Sequence, residues 1–469
     1  MMVRATKIIA CLALLAPSTL FAQEVAVPAS TFALMNARIV VAPGNVIERG
    51  AVLIRDGRIE EVGSRVTAPA GAVEIDLTGM TVYPGLVEIA SSVGLPAVSG
   101  RGDRRGRGGG ARPGPRGPND PAPPGIQPAR LASDAFTPGE SDMEMLRRAG
   151  ITTVGLAFQG GLFPGQTAAV STGAGAVQAQ VLRTPVALQI ALNGTRGGYP
   201  STLMGALAYV EQSFEDTRYD MRVRAAFERD PTSAPRPTFD PEHRALEPVV
   251  NGRMPVWIAA SRERDFPRVA SLIGRIGVQD FVFLGGQEGY RAIDFLVRTG
   301  RPVIVSLNYP DPNQVTGRAL AYHIAPISGD DVLDEEADST VARDLRGNAA
   351  ALAGAGVTIA LSSRGGDVSD LREMVRGAIE AGLDPDEALR ATTTTPASLL
   401  GIDGVVGTVE KGKLANLIVT DGDLFGEDTH VLQVFVEGVR FVYPVDEDDE
   451  DDEDETPRRG RGRRGGGVR

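Results

Sequence analysis

Val256-Trp257-Ile258-Ala259-Ala260, then residues 266–276, then Phe281-Val282-Phe283-Leu284, then residues 290–299, then Val303-Ile304-Val305-Ser306-Leu307 follow one another along the chain. The three apolar runs have strand length. The two stretches between them carry helical spacing, and each reaches a glycine before the next run. Strand runs alternating with helical stretches predict βαβ units on a parallel sheet. Similar runs recur at residues 151–158, 186–192 and 357–361. So many repeats fit an α/β fold of the (β/α)8 or TIM-barrel kind better than an open doubly wound sheet.

Working outward, both ends of the chain turn to β character. Residues 32–41 and 51–61 are β-rich, and Arg55-Asp56-Gly57-Arg58 between them is a hairpin signal. Residues 407–420 and 431–443 return to β pattern after a helix whose start is marked by Asp384-Pro385-Asp386-Glu387, an N-cap followed by proline and a capping acid. A small composite β-sandwich built from both termini beside the barrel follows as an expectation.

Composition narrows the chemistry. The chain has 469 residues, one Cys and three His. One cysteine excludes a disulfide framework, a thiolate zinc site and an iron–sulfur cluster on a single chain. A formal charge of −12 disfavours a nucleic-acid-binding face, which is basic. Arg4 and Lys7, the apolar residues 8–16 and a small residue at Ala22 read as a signal peptide over 1–22, predicting export to the periplasm or beyond. Its apolar run is too short for a bilayer core of about 30 Å, so no transmembrane segment is expected. Cys11 only loosely fits a lipidation box.

Three low-complexity segments interrupt the pattern. Residues 100–128 are Gly/Arg/Pro-rich and residues 229–248 hold five prolines; both read as irregular, disordered insertions. Residues 446–469 open with ten consecutive acids and continue with six arginines, the composition of a disordered tail. The expected organisation is therefore 31–82 for the first part of the sandwich, 83–400 for the barrel and 401–445 for the second part.

Several motifs resemble the amidohydrolase superfamily, specifically its imidazolonepropionase-like members. Near the amino end these are Asn36-Ala37-Arg38-Ile39-Val40, Ile54-Arg55-Asp56-Gly57-Arg58-Ile59 and Val82-Tyr83-Pro84-Gly85-Leu86. Near the carboxyl end they are Thr395-Pro396-Ala397, residues 407–419 through Lys411-Gly412-Lys413-Leu414-Ala415-Asn416-Leu417, and Val434-Phe435-Val436-Glu437-Gly438. The resemblance implies a TIM barrel with a composite β domain, a divalent metal such as zinc, and hydrolysis of carbon–nitrogen bonds other than peptide bonds. It also implies where metal ligands belong. The His-x-His pair that should follow Pro84-Gly85-Leu86 is replaced by Ala90 and Ser92. Ala259 and Gly285 stand at later histidine positions, and Arg364 stands at the aspartate after the last strand. No metal ligands are therefore expected, and the chain resembles a degenerate exported branch of the family.

Glu88 and Arg364 are the candidate catalytic residues, as general base and electrophile. Alternatively Arg364 pairs with Glu88, or grips a ligand carboxylate, because a guanidinium is a permanent charge with a planar fork of donors. The Gly-rich segment 159–166 and the segment 193–200 follow strands at the active face and nominate Gln166 and Arg196 as substrate contacts. His243, His323 and His430 share no ligand spacing and read as surface or packing residues. Three readings stand: a hydrolase with an altered site, a pseudoenzyme that binds a small ligand or partners a metal-competent paralogue, and an exported surface interaction protein.

Overall fold

The computed structural model describes residues 31–96, 125–192, 200–232, 236–309 and 343–444. The leader at 1–22, Arg196, His323 and the tail at 446–469 lie outside the described residues, as does most of the segment 100–128.

The chain opens with β1 (Phe32–Ala42), β2 (Asn45–Arg55), β3 (Arg58–Gly63), β4 (Val73–Asp76) and β5 (Thr81–Pro84). A central series follows: β6 (Leu86–Ser91), β7 (Ile151–Leu156), β8 (Ala168–Ser171), β9 (Val181–Arg183), β10 (Leu188–Ile190), β11 (Val256–Ala260), β12 (Phe281–Gly285), β13 (Val303–Ser306) and β14 (Ile359–Ser362). It closes with β15 (Leu417–Thr420), β16 (Val431–Val436) and β17 (Val439–Val442).

The two ends do pair, but as one eight-stranded sheet rather than a sandwich of two. Its order is β17-β16-β15-β5-β1-β2-β3, with β4 also on β1. The reason is a bend in β1. Asn36 has φ 62°, and its amide donates to Asp76 Oδ1 at 2.9 Å. Either side of that bend, Phe32–Met35 pair with β4 and Arg38–Ile39 pair with β5, so two short strands share one long one.

The hairpin turns explain why motifs from opposite ends of the sequence occur together. Asp56-Gly57 (φ 50° and 77°) and Glu437-Gly438 (φ 51° and 78°) have the two positive φ values of a type I′ turn. The turns meet back to back: a Cβ on Gly57 would lie 2.7 Å from the Glu437 carbonyl oxygen, and one on Gly438 2.7 Å from Gly57 Cα. The Lys411–Asn416 run threads alongside, with Ala415 N donating to Gly57 O and Gly438 N to Ala415 O. Asn416 then joins this sheet to the central strands, accepting from Glu437 N at 2.8 Å and donating to Thr153 Oγ1 at 3.4 Å.

The central strands form two sheets, β6-β7-β8-β9 and the all-parallel β10-β11-β12-β13-β14. Alternate residues face opposite ways, as strand geometry requires. Val256, Ile258, Phe281, Phe283, Val303, Val305, Ile359 and Leu361 join the outer core under the helices. Trp257, Val282, Leu284, Ile304 and Ala360 join Ala90, Ala157, Ala169 and Ala187 in an inner core. The Trp257 indole shares that interior with alanines and larger aliphatic side chains, so it is packed rather than open. The sheets abut at two seams: Glu88 bonds to Ser362 and Ser363 on one side, and Thr167 N donates to Ala187 O on the other.

Two sequence expectations need correction. The repeats are not all parallel: β8 runs antiparallel to β7, because the Gly/Pro-rich residues 159–166 turn the chain straight back without a helix. The prolines of 229–248 do not make that whole segment irregular. Helix Leu203–Arg229 runs up to it, and helix Pro241–Val250 starts inside it, with Asp240 Oδ1 accepting from Glu242 N at 2.8 Å. Proline at the first helical position lacks an N–H that would be unpaired anyway, so it starts a helix rather than breaking one. Residues 125–128, at the end of the first expected insertion, are likewise ordered; Ile126 is buried and bridges to Phe163.

Candidate functional site

A cavity of about 310 Å3 opens at the carboxyl ends of the parallel strands. In a βα barrel this is the face where chemistry is assembled, because loops of variable sequence leave a rigid sheet there. Ala191 just past β10, Ala259 on β11, Gly285 ending β12, Ser306 ending β13 and Arg364 just past β14 all line it. Gln159 and Gly160 reach it from the Gly-rich loop, where Gln159 Nε2 donates to Ser92 Oγ at 2.9 Å.

All five positions at which the resemblance implies metal ligands thus converge on this mouth. Ala259, Gly285 and Arg364 line the cavity; Ala90 supplies a carbonyl to Arg364, and Ser92 holds Gln159. The side chains present do not fit a divalent cation. Alanine and glycine have no ligating atom, and a guanidinium repels a cation. Among the described residues no group of three His, Cys, Asp or Glu could hold a metal ion. Gly285 is also closed to a larger side chain. Its φ is 117°, and a Cβ there would lie 2.4 Å from Ser261 Oγ, so the serine hydroxyl fills the space of the missing side chain.

Glu88 is completely buried and fully engaged. Oε1 accepts from Ala90 N at 3.0 Å and from Ser362 Oγ at 2.6 Å, while Oε2 accepts from Ser363 N at 2.9 Å. It pins the first central strand to the last. With its carboxylate committed to three protein donors, Glu88 is a seam residue and does not line the cavity.

Arg364 is half-buried. Nη1 donates to Ala90 O at 3.3 Å and Nη2 to Phe158 O at 2.9 Å, so two main-chain carbonyls orient the head group. Ser362 Oγ also accepts from Arg364 N at 3.1 Å. Burial pulls the guanidinium down to about 10, partly opposed by the nearby Glu88 charge. The two charges influence each other without touching; each is held by other partners. At neutral pH Arg364 stays protonated.

Gln166 is not at the cavity. It is buried beneath the Gly-rich loop and donates to Pro128 O at 2.9 Å, tying that loop to residues 125–128. His243 sits 3.8 Å from Asp240, and His430 sits 2.9 Å from Asp421, both away from the mouth. The site residues that the sequence reading missed are Ser261, Gln287 and Asn308. Each is a polar residue one or two positions beyond a strand end, which is the signal that could have found them. A larger cavity of about 500 Å3 lies between helices Glu140–Arg148 and Leu371–Glu380 and the loop 421–430. It is far from the strand ends, and Arg372 within it is already spent on Leu424 O and Thr429 O.

An α/β barrel with a flanking sheet made by both termini, and a cavity at the strand carboxyl ends, defines the class. Comparison with known proteins agrees. The amidohydrolase family model matches residues 273–441. Imidazolonepropionase of Symbiobacterium thermophilum is 25% identical across 80% of this chain and 84% of its own. N-acetylgalactosamine-6-phosphate deacetylase of Escherichia coli O157:H7 is 37% identical over 65 residues, 14% of this chain. That match spans 16% of the deacetylase, and 36% of a shorter protein of similar name from Escherichia coli (strain K12). Among solved structures, an amidohydrolase from Thermotoga maritima MSB8 has a TM-score of 0.69 at 22% identity, covering 87% of this chain and 99% of that one. These matches support assignment to the amidohydrolase superfamily, and the structural likeness implies a TIM barrel with an additional sheet domain. Among the described residues no helix is long and apolar enough to cross a membrane.

Proposed function

We propose that this protein is a metal-free member of the superfamily, a pseudoenzyme whose barrel mouth binds a small polar molecule. In this reading the two seams close the central strands into a complete barrel. One observation carries it: of the five ligand positions, Ala259, Gly285 and Arg364 line a single cavity, and Ala90 and Ser92 accept hydrogen bonds from residues that line it. Metal-assisted hydrolysis requires a cation that lowers the pKa of bound water from 15.7 to about 7 and polarises the carbonyl. Among the described residues the side chains at these positions supply no ligand set for such a cation. What they offer is a fixed positive charge facing a small cavity with neutral polar walls.

A thermal-shift and turnover screen against N-acyl amino acids and cyclic amides, with zinc or a chelator added, tests this. The expected outcome is stabilisation by some compounds, equal with zinc or chelator, and no turnover. Zinc-dependent turnover would overturn it.

A second reading keeps the family's reaction, hydrolysis of carbon–nitrogen bonds other than peptide bonds. It is favoured by the alignment with imidazolonepropionase over 80% of the chain and by the intact cavity. Arg364 would then stabilise the developing oxyanion. Glu88 would have to leave its three donors to act as base, so Glu88→Gln should abolish any turnover that exists. Export, with cleavage after Ala22, belongs to the same proposal; the amino-terminal sequence of the secreted protein tests it. So does a metal-competent paralogue as partner, tested by co-purification.

A further inference from the structure

We infer that the cavity takes a small monocarboxylate that also carries a neutral amide or hydroxyl, with its carboxylate on Arg364 and its neutral end at Ser261 and Asn308. This rests on the reading of the mouth as a ligand site.

The charge pattern fixes the class. Arg364 is the one charged residue lining the cavity among the described residues. Its anchors are neutral carbonyls, so among the described residues the positive charge has no anion in contact. The nearest carboxylate, Glu88, has both oxygens occupied by other donors. A guanidinium has five N–H donors in a fork that matches a carboxylate. Two of them hold Ala90 O and Phe158 O, so three are left for a ligand. The single positive group suits a single negative charge.

The rest of the wall sharpens the class. Ser261, Gln159, Gln287 and Asn308 offer hydroxyl and amide groups, and among the described residues no lining side chain is an anion that could receive an ammonium. A free amino acid would bring an ammonium with no partner, and burying an unpaired charge is costly. An N-acylated amino acid replaces it with a neutral amide, which these groups can satisfy. The volume of about 310 Å3 equals about ten waters at liquid density, room for a molecule of about ten to fifteen heavy atoms.

Titration calorimetry of the full chain with N-acetylalanine, its methylamide and free alanine tests the inference. N-acetylalanine should bind, with the methylamide and alanine each about tenfold weaker or worse. Arg364→Gln should reduce N-acetylalanine to the level of the methylamide, and Arg364→Lys should restore part of the difference by keeping the charge. Ser261→Ala should weaken the acid and its methylamide alike. A cooperative unfolding transition in each variant shows that it is folded. Equal binding of acid and methylamide, equal binding of alanine, or an unaffected Arg364→Gln would overturn the inference while leaving the mouth a ligand site. Binding by none of the three would overturn both.

Discussion

The junction between the terminal sheet and the barrel differs sharply from the barrel mouth. At the junction several motif residues have identifiable structural roles. Two I′ turns meet at Gly57 and Gly438, Asn36 bends the long first strand, and Asn416 ties sheet to barrel. At the mouth, the positions where the resemblance implies metal ligands carry Ala, Ser, Ala, Gly and Arg. Scaffold and chemistry are therefore separable parts of one sequence. Membership follows from the first, and activity must be argued from the second.

The largest expected effect tests whether Glu88 belongs to the scaffold. Glu88→Gln places an amide NH2 against a ring of donors and should cost about 3 kcal/mol in denaturant unfolding. Gly57→Ala should cost about 2 kcal/mol, because it adds positive-φ strain and a contact with the Glu437 carbonyl. Arg364→Gln should change stability by no more than about 1 kcal/mol, since two lost hydrogen bonds are offset by relief of a poorly solvated charge. Equal costs for Glu88→Gln and Arg364→Gln would instead make them one structural ion pair.

The pH dependence has a definite sign. Burial holds Arg364 at about 10, below the ordinary arginine range, so it is charged at neutral pH and loses charge as pH rises through that value. Carboxylate affinity should be level from neutral pH to about 9 and fall above about 10. The smallest effect lies on the sheet surface. Burial raises the Asp421 carboxyl, but hydrogen bonds from His430 outweigh this and keep it below its usual value. Its stabilisation is present at neutral pH and lost as pH falls below the ordinary carboxylate range. The pair is exposed, so His430→Ala should cost under about 0.5 kcal/mol.

Much of the fold was legible because its signals are local. The run at 256–260 forms the strand Val256–Ala260, and Asp384 caps helix Pro385–Thr392 through Glu387 N at 3.1 Å. The return strand β8 was not legible, because Ala168–Ser171 is as apolar as a parallel strand and direction is set by the turn before it. Helix Pro241–Val250 was hidden by counting prolines rather than placing them. Within the site, Arg364 could be located through the resemblance, since its position in the chain fixes its place after the last strand. Two of the three hydrogen bonds that commit Glu88 to the seam come from residues far away in sequence, Ser362 and Ser363, and no spacing rule reveals them. Gln166 was misplaced for the same reason: its partner, Pro128 O, comes from another loop.

The central claim is that a guanidinium has taken the place of a metal at this mouth. Elemental analysis of the native protein, purified without chelator from zinc-supplemented cells, tests it most directly. The expected result is no divalent metal above trace, unchanged in Arg364→Gln. One tightly held metal ion per chain would contradict the account.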